Sequence, residues 1–149
     1  MQRSREAWVV DASVATKWYL QDEDWADEAR ALWNRYEERH LEIFAPHVSR
    51  HEVGNSINVA AWLGRISGEQ AWPHIENYLR SGISLERDPD WLLKQAAAVG
   101  LTYRISFYDA TYIALAEHLG TNFVTDDRKL HAAIAHALPF VVLLANLEI

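Results

Sequence analysis

Four acidic residues carry the spacing from which chemistry can be built: Asp11, Glu52, Asp109 and Asp127. Asp11 closes the apolar run Trp8-Val9-Val10. Glu52 and Asp109 each sit three residues after a serine, in Ser49-Arg50-His51-Glu52 and Ser106-Phe107-Tyr108-Asp109. Asp127 follows Asn122–Thr125. Taken singly, each has a plain structural use. A serine followed three residues later by an acid is a capping pattern, and Asp11 and Asp127 suit the first position before a helix. Taken together, four carboxylates in one cleft would repel one another and raise their own pKa values. A divalent cation removes that cost. Oxygen donors alone suit a hard ion, Mg2+ or Mn2+, which can activate water against a phosphate ester.

Whether the four acids meet depends on the elements that carry them. Short β-type runs lie at Trp8–Val10, Leu41–Ala45, Ile83–Glu86, Asn122–Thr125 and Val141–Leu144. Between them, apolar residues recur at helical spacing. Helices are expected over Ser13–Leu20, Asp24–Arg39, Ser49–Leu63, Ser67–Arg80, Ser106–Leu119 and Asp127–Ala137. One more should begin at Asp88-Pro89, an acid cap with proline in the first turn, and stop at Gly100. Gly120 stands where a left-handed residue ends a helix. Strands alternating with helices predict an α/β fold, a mostly parallel sheet with helices on both faces. In such sheets function gathers at the carboxyl ends of the strands, and all four acids fall at strand C-termini or helix N-termini, which point the same way.

Composition narrows the choice. The chain has 149 residues, 14 basic and 21 acidic, for a net charge of −7, and no cysteine. The length suits one domain over residues 1–149. The absence of cysteine excludes a thiol nucleophile and cysteine-bound zinc or iron–sulfur centres. The seven histidines show no HExxH spacing, and no GxSxG turn supports a serine hydrolase. The N-terminal apolar run is too short for an export signal, and no tract is long enough to span a bilayer. A cytoplasmic protein without membrane contact is expected. Net acidity opposes non-specific nucleic-acid binding, so phosphate contacts would need local cations, for which Arg128 and Lys129 are placed best.

Four blocks resemble the PIN-domain family. Val9-Val10-Asp11-Ala12-Ser13 resembles its opening strand. Pro46 with His51-Glu52-Val53-Gly54-Asn55 resembles its second block. Tyr108 through Ala116 (YDATYIALA) is similar to the third, and Phe123-Val124-Thr125-Asp126-Asp127 to the Thr-x-Asp fourth. Length and layout resemble the VapC-type toxins of toxin–antitoxin pairs. The resemblance implies a three-layer sandwich around a five-stranded sheet and a Mg2+- or Mn2+-dependent endoribonuclease. It implies that Asp11, Glu52, Asp109 and Asp127 form the catalytic metal site. Ser13 and Thr125 would orient it, Asn55 would support Glu52, and Asp126 would occupy the variable place in Thr-x-Asp. A homodimer and a cognate antitoxin are implied partners. Two other readings remain: a PIN scaffold that binds RNA or protein without cutting, and a Mg2+ phosphatase. The haloacid-dehalogenase type of phosphatase needs Asp-x-Asp after the first strand, and this chain has Asp11-Ala12-Ser13 there.

Overall fold

The computed structural model describes residues 5–149. Five parallel strands form one sheet: β1 (Glu6–Val10), β2 (Leu41–Pro46), β3 (Ser84–Glu86), β4 (Asn122–Thr125) and β5 (Val141–Leu143), in the order β3-β2-β1-β4-β5. Seven α-helices connect them: α1 (Ala12–Ala15), α2 (Ala26–Glu37), α3 (Ser49–Trp62), α4 (Gly68–Leu79), α5 (Asp90–Tyr103), α6 (Phe107–Leu119) and α7 (Arg128–Ile134). The α/β expectation is met, and the sheet is parallel throughout. The chain steps from β1 to β2 to β3 in one direction, then returns past β1 to β4 and β5. Right-handed crossovers therefore place α1–α4 on one face and α5–α7 on the other. The reversal also leaves a crevice at the ends of β1 and β4, the usual place for a site in an open α/β sheet.

Burial explains the sequence pattern. Val9, Val10, Phe123 and Val124 are buried in the central strands, as continuous apolar runs in a doubly covered sheet should be. Every residue of α6 from Ala110 to Ala116 is buried. This helix packs on β1, β2 and β4 and beneath α5, so it is apolar all round rather than on one stripe. Trp18 packs on Trp33, with ring centroids 5.0 Å apart, and Trp33 on Tyr36 at 5.2 Å. Those aromatic residues of α2 are partly buried and pack against the core, while Trp25 lies at its exposed start.

Several boundaries differ from the sequence expectation: α2 is Ala26–Glu37 rather than 24–39, and α7 ends at Ile134 rather than Ala137. The helix expected over Ser13–Leu20 is α1 followed by a 3-10 turn at Thr16–Trp18. Pro89 lies just before α5 in extended conformation, so the helix begins one residue later, at Asp90. Gly100 does not end α5, which continues to Tyr103 and closes on left-handed Arg104. The glycine has a packing reason instead. A Cβ there would lie 3.3 Å from the Ile105 carbonyl oxygen and 3.6 Å from Ala110 Cβ. Gly120 does close α6 with φ of 64°, as its position predicts.

Candidate active site

Asp11 leaves the end of β1 and is 5% exposed. It starts α1 without capping it. Its Oδ2 instead accepts two hydroxyl hydrogen bonds, from Thr125 at 2.7 Å and from Ser13 at 2.8 Å. The same hydroxyls brace the loop after β4: the Asp126 amide donates to Ser13 Oγ and the Asp127 amide to Thr125 Oγ1, each at 3.0 Å. One carboxylate thus ties the ends of β1 and β4 together.

Of the other three acids, only Asp127 caps a helix with its side chain. Ser49 lies inside α3 and accepts from the Tyr78 hydroxyl at 2.7 Å, so the expected Ser49–Glu52 cap does not form. Glu52 turns inward, and its Oε1 accepts from the Tyr112 hydroxyl at 2.9 Å. Ser106 does cap α6 by accepting from the Asp109 amide at 3.0 Å. That bond uses the backbone of Asp109, and its carboxylate feels the charge of Asp127. Asp127 is a true cap, with Oδ1 accepting from the Leu130 amide at 2.9 Å.

Electrostatics links the four. Burial pushes the Asp11 pKa up to about 7, against the pull of the Thr125 and Ser13 hydroxyls, and the charges of Glu52 and Asp109 raise it further. Burial likewise raises Glu52, with Tyr112 opposing and Asp109 adding to the rise. Burial raises Asp109, with Ser106 opposing and Asp127 adding. Asp11, Glu52 and Asp109 each lie close enough to another acid for its charge to disfavour their own.

A hard cation fits this donor set. All donors are oxygen, Asp11 keeps Oδ1 clear of its two hydroxyl partners, and added positive charge would relieve the repulsion. Among the described residues, no three acidic or histidine side chains close on one point as a finished cage.

Other residues are placed less simply. Lys17, 5% exposed in the 3-10 turn, contacts Asp126 at 3.0 Å and Glu23 at 3.3 Å. Asp126 is therefore held by a cation that it shares with Glu23. Arg128 lies over the Trp25 ring, 5.6 Å from its centroid, which leaves Lys129 as the freer of the two cations after Asp127. Asn55 lines an open cavity beside Glu52, whose hydrogen-bond partner is Tyr112. A larger cavity of about 410 Å³ lies elsewhere, between Trp18, Trp33, Arg30 and Arg80, and none of the four acids lines it.

Sequence reasoning missed Tyr112 and Lys17 as parts of the site. Tyr112 reads as one more apolar position of α6, and only the fold brings it to Glu52, 60 residues away in the chain. Lys17 lies six residues beyond Asp11, and only the fold brings it to Asp126.

A model of the PIN domain matches residues 8–136. The chain belongs to the PIN domain family. Within the family it is similar to two proteins of Pyrobaculum aerophilum. It is 33% identical over 130 residues to Exonuclease VapC9, covering 87% of this chain and 95% of the relative. It is 31% identical over 123 residues to Ribonuclease VapC3, covering 82% and 90%. Among solved structures, this PIN domain superposes on PAE2754 of Pyrobaculum aerophilum with a TM-score of 0.68 and 27% identity, over 95% and 93% of the two chains. Mycobacterium tuberculosis VapC20, a toxin that cleaves the sarcin–ricin loop, shares the fold with a TM-score of 0.66 at 20% identity, over 85% and 95%.

Proposed function

We propose that the chain is a divalent-cation-dependent endoribonuclease, the toxin of a toxin–antitoxin pair, acting as one nuclease domain. The observation that carries this reading is the joining of the ends of β1 and β4 by Asp11, Ser13 and Thr125, with the Asp127 amide bonded to Thr125 and the charges of Glu52 and Asp109 acting on Asp11. The names of its VapC relatives, an exonuclease and a ribonuclease, supply the reaction class. A cognate antitoxin, a homodimer and a cytoplasmic location complete the proposal. No helix of the described residues is long and apolar enough to cross a membrane.

Asp11, Asp109 and Asp127 would hold Mg2+ or Mn2+, with Glu52 beside them. The bound ion would supply an activated water and positive charge for the phosphate oxygens. Thr125 and Ser13 fix Asp11 through Oδ2 and so aim Oδ1 outward. Tyr112, whose phenol burial keeps well above its ordinary pKa, donates to Glu52 Oε1 and fixes its carboxylate. Glu52 Oε2 is the atom suited to take a proton from the attacking water, because burial brings Glu52 nearer to neutral pH than a free glutamate. The attacking oxygen bonds to phosphorus as the bond to the departing ribose oxygen breaks. Lys129 is the candidate contact to a flanking phosphate, with Arg128 turned toward Trp25.

The test is hydrolysis of single-stranded RNA beside a small phosphomonoester, each with Mg2+ and with EDTA. Cation-dependent cleavage of RNA alone is expected. Cleavage of the monoester alone would favour a phosphatase, and RNA binding without cleavage would favour a scaffold.

A further inference from the structure

Beside the acid centre lies an open cavity of about 360 Å³ lined by Val48, His51, Glu52, Asn55, Ser56 and Tyr108. Glu52 belongs to both. Asn55 and Ser56 come one turn after Glu52 on α3, and Tyr108 is the residue before Asp109 at the start of α6. The cavity therefore opens between the two helix starts that carry two of the four acids.

Its lining is specific in character. Apart from Glu52 itself, no side chain there carries a fixed charge, while an amide, a hydroxyl and an imidazole offer donors and acceptors. A phosphate in this place would face Glu52, with Asp109 near enough to raise that residue's pKa. A neutral heterocycle would not be repelled. Tyr108 is 60% exposed, on a helix whose next seven residues from Ala110 are all buried. The core gives no reason for an aromatic ring there. Unpaired bases of single-stranded RNA are bound by stacking on such rings and by hydrogen bonds to their edges.

We propose that this cavity is a nucleobase subsite. It takes one unpaired base of a single-stranded RNA next to the bond that is cut, stacked on Tyr108 and read at its edge by Asn55 and Ser56. The inference rests on the ribonuclease reading and adds to it where sequence preference is set.

The experiment titrates a fluorescein-labelled single-stranded RNA onto the Asp11→Asn protein, which leaves the RNA intact, and reads anisotropy. Tyr108→Ala in that background should weaken binding about 5- to 150-fold, the equivalent of ~1–3 kcal/mol for one stacked base. Tyr108→Phe should recover the affinity, since it keeps the ring. Trp62→Ala removes another exposed aromatic, at the far end of α3, and serves as the comparison. In the active protein, Asn55→Ala should change the base preferred at one position beside the cut, read by sequencing the fragment ends. Equal binding by Tyr108→Ala and its parent would overturn the subsite. So would an equal loss in Trp62→Ala, which would make the effect one of general aromatic exposure. If the wild type cleaves RNA while Tyr108→Ala binds and cuts as it does, only the subsite falls. If the wild type neither binds nor cuts single-stranded RNA, the ribonuclease reading falls with it.

Discussion

Two hydroxyls on one oxygen of Asp11 set the chemistry of the site at the scale of single residues. They stabilise the carboxylate, yet burial and neighbouring acids outweigh them and leave its pKa at about 7. An unfolded aspartate titrates near 3.9, so between about pH 4 and 7 the folded chain binds the proton more tightly. Without a divalent cation, stability at this residue falls as pH rises through that window and stays low above it. Asp11→Asn removes the penalty and keeps an oxygen for both hydroxyls. In EDTA at pH 8 it should raise the thermal midpoint by roughly 3 °C or more, with little change at pH 4. A midpoint lowered at pH 8 would contradict the coupling. Lys17 poses the opposite case. Lys17→Met leaves Asp126 without its cation, while Glu23 keeps Arg65, and should cost about 1–2 kcal/mol in urea denaturation. An unchanged midpoint would show that the ion pairs are incidental. Asp11, Asp109 and Asp127 were legible in the sequence because each follows a strand or opens a helix. The support from Tyr112 was not, because a contact 60 residues apart exists only once the sheet has formed.

At the scale of elements, the start of α6 is the most exacting placement. Ser106 caps it, Asp109 faces the acids, and Ala110 meets Gly100 of α5 one residue later. Gly100 reads as a helix terminator in the sequence and is instead the point of close approach. Local propensity could not tell the two apart, because both use the missing Cβ. Alanine in a helix interior normally gains about 1 kcal/mol over glycine. At this position, overpacking against the Ile105 carbonyl should exceed that gain and leave a net loss of about 1 kcal/mol. Thermal denaturation of Gly100→Ala decides it: a more stable variant would mean that α5 can move away freely. The Ser49–Glu52 pattern failed in the complementary way. It has the spacing of a cap, but Tyr78 claims the serine and Tyr112 the acid. The complete capping box forms instead at Ser67 and Gln70, where no tertiary partner competes.

For the whole molecule, the alternation of strands and helices was enough to predict an α/β sheet. The order β3-β2-β1-β4-β5 then explains why Asp11, after β1, and Asp127, after β4, come from neighbouring strand ends. The net charge of −7 acts at this scale as well. With Lys17 buried in ion pairs and Arg128 over Trp25, few cations near the site remain for phosphate. RNA affinity should therefore depend weakly on salt, with a log–log slope of about −1 to −2, as expected for two or three phosphate contacts on a single strand. A slope steeper than about −4 would reveal a basic surface elsewhere on the molecule. Whether the four acids act as one centre for RNA hydrolysis is decided by single-turnover cleavage of single-stranded RNA in Mg2+ by the wild type and Asp109→Asn. The variant should lose about 100-fold or more, a cost of ~2.7 kcal/mol in the barrier, with the circular dichroism of the fold unchanged. Cleavage by Asp109→Asn at the wild-type rate would contradict a single centre and leave Asp109 as the first turn of a capped helix.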